Sequence, residues 1–242
     1  MALGKSSNES NWISFSDIMT GLMVIFMFIA ISYMYEVQKK QHERDLIFEE
    51  FKETKKNLYS ELKKEFNEDF KDWDVEMSED LSIKFINAKV LFEENKYEIK
   101  PGFKKILDKF LPRYFDILLK EEFREKIAEV RIEGHTDPHR STGYDNDRYI
   151  GNVILSQRRS AQVLKHFRNM SYYHQLSDSN EQKLQFWITA NGLSYGRPLD
   201  SDKKLTEIKE EINDALSRRV EFKVVTKSES LIEEVLKNLE KR

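Results

Sequence analysis

The chain has no cysteine in its 242 residues. That absence excludes a disulfide framework, a thiolate zinc site and a cysteine nucleophile. It is compatible with either side of a membrane and so locates nothing. Positive charge is not in excess either: 40 Lys and Arg stand against 43 Asp and Glu, a formal net charge of -3. Nucleic-acid-binding domains usually carry a basic patch or a high pI, so composition makes no case for direct nucleic-acid contact. No Ser–His–Asp or paired-carboxylate arrangement stands out, and nothing suggests an enzyme. Glycine and proline are missing from the whole of Glu36–Lys71. No segment after Tyr35 is both long and free of charge.

Against these absences stands one stretch, Trp12–Tyr35, WISFSDIMTGLMVIFMFIAISYMY. From Phe15 to Tyr35 it runs 21 residues with a single acidic side chain, Asp17, and no basic one. At helical rise this covers about 31 Å, close to the roughly 30 Å hydrocarbon core of a bilayer. The run is too long for the apolar part of a signal peptide, and no A-x-A cleavage site follows it. A transmembrane helix over residues 12–35 is the expectation, after a polar tail over residues 1–11. An acid at the centre of such a helix costs about 2.5–3.5 kcal/mol on insertion scales, and intramembrane carboxylates commonly mark ion or proton paths. Two readings of Asp17 stand side by side. It is an interfacial N-cap, or it is a functional carboxylate inside the span. Trp12 and Ile13 already suit the headgroup belt, which puts Asp17 about 7 Å deeper. Thr20 and Gly21 follow at i+3 and i+4, so Asp17 heads a small, polar face.

Glu36–Asp72 is highly charged, with apolar residues at Val37, Ile47, Phe51, Leu58, Leu62, Phe66 and Phe70. The later positions fall on one helical stripe. The segment predicts a helical linker, continuous or broken once near His42. Its stripe either pairs with a second copy or lies on the chain's own domain. From Trp73 strand and helix patterns alternate. Strands are expected at Asp80–Ile86, Val90–Phe92, Ala128–Glu133, Leu184–Ala190 and Arg219–Val225. Helices are expected from Pro101 (with Pro112 as a kink or end), over Tyr149–Arg168 and over Thr206–Leu216. A charged helix closes the chain over residues 227–242. The fold class is α/β (α+β): one transmembrane helix, a helical linker over 36–72, and a domain over 73–226 with a mixed sheet and packed helices.

Four linked motifs then appear in order. They are Gly134-His135-Thr136-Asp137; Asn152, Leu155-Ser156 and Arg159-Ser160-Ala161; Gly192 with Pro198; and Arg218-Arg219-Val220-Glu221. Together they resemble the OmpA C-terminal-like peptidoglycan-binding domain, with Val90–Phe92 and Ile99–Gly102 like its opening segment. Ser160 and Ser217 replace the usual Ala and Asn, and Asp137 to Asn152 is longer than the common spacing. The resemblance implies that Asp137, Asn152, Leu155 and Arg159 bind the peptidoglycan stem peptide, with Tyr149 as a wall. The chemistry is consistent: stem carboxylates suit an Arg fork, and an ammonium suits a carboxylate. Asn152, Leu155 and Arg159 share one stripe at a helix start. Plainer roles remain for each. Leu155 can be core, Asp137 can brace its loop, and Arg218 or Arg219 can pair with that loop. His135, Asp137 and His139 are a weak metal pattern, and no metal is expected.

The span resembles a second motif. Asp17-Ile18-Met19-Thr20-Gly21-Leu22-Met23-Val24-Ile25-Phe26 is similar to the D-L-M-T-x-L-M-x-x-F motif of the flagellar stator subunit MotB. Membrane Asp, linker and OmpA-like domain are the architecture of that MotB/OmpA-like stator family. Within it, the GLMVIF and FIA run after Asp17, the long charged helix and the extended insertion are most like the B subunits of Zorya anti-phage defence systems. The resemblance implies a peptidoglycan-anchored homodimer inside a pentameric polytopic partner of the MotA or ZorA kind, forming an ion-driven inner-membrane motor. Asp17 would accept the translocated H+ or Na+, Thr20 would line its path, and no other cofactor is implied. The alternatives are a flagellar-type stator subunit, or a passive membrane-to-wall tether without ion transport. Topology is contested. Lys5 precedes the span while Lys39, Lys40 and Arg44 follow it, which favours a cytoplasmic C-terminal side. The resemblance implies a cytoplasmic N-terminus and a periplasmic domain, and that orientation is the expectation because a peptidoglycan reader needs the wall.

Overall fold

With no Gly or Pro to interrupt it between Glu36 and Lys71, the first helix, α1, runs as Ser7–Asp72 without a break at His42. The computed structural model describes residues 7–139, 144–229 and 232. Part of the polar tail, part of the insertion after Asp137, and the closing helix apart from residues 227–229 and 232 therefore lie outside the described residues. Two compact units result, Met1–Glu49 and Glu50–Arg242. In the first, every residue of Phe15–Tyr35 is exposed in the isolated chain. It is the one helix, among the described residues, long and apolar enough to cross a membrane.

The second unit begins inside α1, ahead of the boundary that the sequence suggests at Trp73. The cause is the apolar stripe: Leu58, Leu62 and Phe66 are fully buried in the domain's own core. This part of the stripe is covered by its own chain, not left over for a second copy. Phe66 meets Phe110 with ring centroids 5.1 Å apart. At the edge, Arg113 donates to the Glu65 carboxylate at 2.6 Å and the Asp69 carboxylate at 2.7 Å.

The remaining elements are β1 (Val75–Met77), β2 (Ser82–Phe85), α2 (Ala88–Leu91), α3 (Pro101–Leu118), α4 (Glu121–Arg124), β3 (Ile127–Gly134), α5 (Arg148–Arg168), α6 (Ser171–His174), α7 (Asp178–Trp187), β4 (Ile188–Gly192), α8 (Asp214–Ser217) and β5 (Val220–Thr226). The sheet order is β1-β2-β5-β3-β4. Only β3 and β4 are parallel; the other neighbours are antiparallel. A parallel pair needs a crossover, and α5 to α7 provide it. The mixed sheet with packed helices is the class expected. Phe110 of α3 knits the layers, touching Phe66 of α1, Phe85 of β2 and Phe222 of β5 at 5.1–5.2 Å between centroids.

Local expectations fail where side chains follow a helical spacing. Leu184–Trp187 ends α7, because Leu184 and Trp187 are buried while Phe186 is exposed; alternation would have buried Leu184 and Phe186 together. Ser177 caps that helix by accepting from the Asn180 N–H at 3.3 Å. Val90 and Leu91 lie in the helical turn α2, and only Phe92 is extended, bridging Ile99. Thr206–Leu216 forms a 3-10 turn at Lys209–Glu211 and the short α8. There the Thr206 hydroxyl accepts from the Ile208 N–H at 3.1 Å, the kind of local bond that competes with a helix. Helix α3 continues through Pro112 to Leu118. The three-residue β1 was not legible as a strand.

Candidate functional site

The site forms where β3 ends and α5 begins. Asp147 caps α5, its carboxylate accepting from the backbone N–H groups of Tyr149 at 2.7 Å and Ile150 at 3.0 Å. Two glycines let α5 settle onto the sheet. A Cβ on Gly134 would lie 2.3 Å from the Ser156 carbonyl oxygen, and one on Gly192 would lie 2.3 Å from the Gln157 backbone nitrogen. Only glycine permits such an approach. The Ser156 hydroxyl then donates to the Asn152 carbonyl at 2.7 Å and accepts from the Ser194 N–H at 3.0 Å. The loop after β3 is held from both sides: His135 N–H donates to the Arg219 carbonyl and Thr136 N–H to the Ser194 carbonyl.

This packing opens a cleft of about 380 Å³ that brings Asp137, Asn152, Leu155 and Arg159 together. Its other wall comes from the stretch before α3, with Lys89, Phe92, Glu93 and Lys100, and its margin includes Arg218. Tyr149 is not brought to the cleft. It is half exposed and packs edge-on against Tyr195, 5.3 Å between centroids. Its distance follows from its place on α5, outside the stripe of Asn152, Leu155 and Arg159.

Each cleft residue has a defined setting. Asp137 is nearly buried; Arg218 donates to its Oδ2, and the His139 N–H donates to its Oδ1 at 2.8 Å. Burial alone would raise the Asp137 carboxyl, but the Arg218 and His139 bonds outweigh it and hold it below the usual carboxylate range. Asn152 donates through Nδ2 to the carbonyls of His139 at 2.8 Å and Arg148 at 3.0 Å, so its amide ties the Asp137 loop to α5. Leu155 is buried at 3 % exposure yet belongs to the cleft, not to the main core cluster.

Arg159 is 7 % exposed. Its Nε donates to the Lys96 carbonyl at 2.9 Å and its Nη2 to the Glu93 carbonyl at 3.2 Å, and the guanidinium lies over the Phe92 ring. Among the described residues no carboxylate stands within ion-pair distance of it. Burial pushes it down to about 10, so it remains a cation at neutral pH. A carboxylate is the natural partner for such a fork. The cleft can therefore take a carboxylate at Arg159 beside an acid, Asp137, already matched to Arg218.

Sequence reasoning did not pick out Phe92, Lys89 or Lys100 as walls. Their signal was the Val90–Phe92 and Ile99–Gly102 segment, read only as part of a family pattern. Arg158 lies over both the Tyr97 and Tyr144 rings, 5.4 and 5.2 Å from their centroids. The Tyr144 hydroxyl donates to the Asn95 carbonyl at 2.9 Å, tying the end of the insertion to the wall before α3.

In the first unit, Asp17 and Thr20 lie one turn apart on α1. The Thr20 hydroxyl donates to the Ser16 carbonyl at 2.8 Å, a bond within the helix. Among the described residues Asp17 has no hydrogen-bond or ion-pair partner.

The chain is 36 % identical over 236 residues to the Zorya protein ZorB of Escherichia coli, a match spanning 96 % of this chain and 94 % of that protein. It belongs to the ZorB family. No family model matches the chain. Among solved structures it is similar to the OmpA-like domain of FopA1 from Francisella tularensis, at 18 % identity and a TM-score of 0.36 over 63 % of this chain and 80 % of that one. It is also similar to the periplasmic domain of Helicobacter pylori MotB, at 17 % identity and a TM-score of 0.38 over 65 % and 84 %. At those scores the likeness decides nothing; the strand order and packing above define the fold of this ZorB-family chain.

Proposed function

We propose that this ZorB-family chain is the peptidoglycan-anchored subunit of an ion-driven inner-membrane motor in anti-phage defence. The span sits in the inner membrane with the N-terminus cytoplasmic and the domain periplasmic. Asp17 carries the translocated H+ or Na+ and Thr20 lines its path. Two copies act within a pentameric polytopic partner, and the domain holds them to the wall.

The observation that carries the wall-binding half is Arg159, a buried guanidinium at a cleft, oriented by two main-chain carbonyls and lacking a carboxylate partner among the described residues. A stem-peptide carboxylate fits it, and the stem's ammonium, where the peptide ends in one, fits the Asp137 side of the cleft. Asn152 positions the loop, and Leu155 offers the stem an apolar contact. The span half rests on the family and on a single acid in an otherwise apolar helix, which is costly unless used.

The test is a pull-down of the full-length chain on isolated sacculi. Losing a charge-assisted hydrogen bond costs about 1.5–3 kcal/mol, or roughly ten- to a hundredfold in affinity. Arg159→Ala is expected to weaken binding by that much in protein that circular dichroism shows to be folded. Arg159→Lys keeps the charge without the fork and falls between. Wild-type retention of Arg159→Ala on sacculi overturns the assignment of this cleft.

A further inference from the structure

A second set of polar groups lies under the cleft and takes no part in the reading above. Strand register places Glu133 of β3 directly opposite Glu221 of β5. Like charges facing each other across a strand pair repel, and here both are buried. His135 follows two residues after Glu133, on the same face by strand alternation. Its ring is 1 % exposed. Its Nε2 lies 3.7 Å from Glu133 Oε2 and 3.6 Å from Glu221 Oε2, beyond hydrogen-bond length. Neither ring nitrogen has a hydrogen-bond partner among the described residues. Glu221 accepts from Arg219 Nε at 3.0 Å. Glu133 accepts no hydrogen bond from an Arg or Lys among the described residues. A buried imidazole with neither nitrogen hydrogen-bonded, set beside two facing buried carboxylates, is expensive to maintain.

We propose that Glu133, His135 and Glu221 form a zinc site at the floor of the cleft. One donor atom from each residue lies within 4.8 Å of the others. A tetrahedral zinc with bonds of 2.0–2.1 Å sets its ligands about 3.3 Å apart, so modest side-chain movement closes the set. One imidazole nitrogen with two carboxylate oxygens suits zinc better than the all-oxygen shells of calcium or magnesium. Such nitrogen and oxygen donors bind zinc more tightly than manganese. His135 and Arg219 both line the cleft, so an ion can enter from there and keep one position open to water or ligand. The set differs from His135, Asp137 and His139, the pattern visible along the chain. His139 is largely exposed and stands against Asp137.

The test uses the full-length chain in detergent, purified without a histidine tag, stripped with chelator and titrated calorimetrically with ZnCl2 and, separately, MgCl2. One saturable equivalent of zinc and no saturable magnesium are expected. Glu133→Gln and His135→Gln should each weaken zinc at least roughly tenfold, while His139→Gln should leave it unchanged. Circular dichroism establishes which variants fold. Should His135→Gln fail to fold, Glu133→Gln and the wild-type titration decide. No saturable zinc binding by the wild type overturns the site. So does wild-type affinity in folded Glu133→Gln, or loss of binding in His139→Gln alone.

Discussion

Asp17 and Asp137 are the same side chain in opposite circumstances. Asp137 is nearly buried, and its own chain supplies what a carboxylate needs: the Arg218 guanidinium and the His139 N–H. Asp17 stands exposed on α1 with no partner among the described residues. The domain pairs this acid internally and leaves Arg159 as a buried cation at the cleft with no carboxylate partner among the described residues. The span leaves an acid for something else to complete. In a bilayer that acid is tolerable only against another protein surface, water or an ion. Under the proposed function the two regions divide the work: the domain is the receptor for the wall, and the span supplies half of an ion site.

Removing the charge at Asp17 is the strongest test of that contrast. Asp17→Asn should abolish protection against phage in cells carrying the whole defence system, with unchanged membrane levels on immunoblots. Full protection would reduce the chain to a passive tether. Next in size is Phe66→Ala. Truncating a fully buried Phe costs about 3–5 kcal/mol, and because Phe66 packs on its own domain, the lowered melting temperature should not vary with protein concentration. A concentration-dependent loss would mean that the stripe joins two copies instead. The smallest effect concerns Asp137 and acid. Its carboxyl lies below the ordinary value in the folded chain, so its pairing contributes in full above about pH 4 and is lost as pH falls through the lower folded value. Thermal melts of wild type and Asp137→Asn should differ by a constant amount from pH 7 to about 5 and converge in stronger acid. A difference that shrank already near pH 6 would show that Arg218 does not hold this carboxylate.

Much of the site was legible. The Asn152, Leu155 and Arg159 stripe depends only on helical spacing, and the structure brings it to one cleft with Asp137. Tyr149 was legible as a neighbour in sequence, but its position on the helix turns it toward Tyr195. The misread segments share a cause. Leu184–Trp187 and Thr206–Leu216 are short apolar patterns whose state depends on caps and side-chain bonds, which override a brief periodicity.

By itself the sequence determined the apolar span, its lone acid, the helical character of the linker and the order of the motifs, because each follows from local spacing and composition. Only the tertiary structure decided that Arg218 answers Asp137 across 81 positions of chain, that Arg159 is anchored by the Glu93 and Lys96 carbonyls, and that Glu133 faces Glu221 beside His135. Those contacts depend on strand register and on how closely α5 settles over Gly134 and Gly192, and packing sets both through residues far apart in the chain.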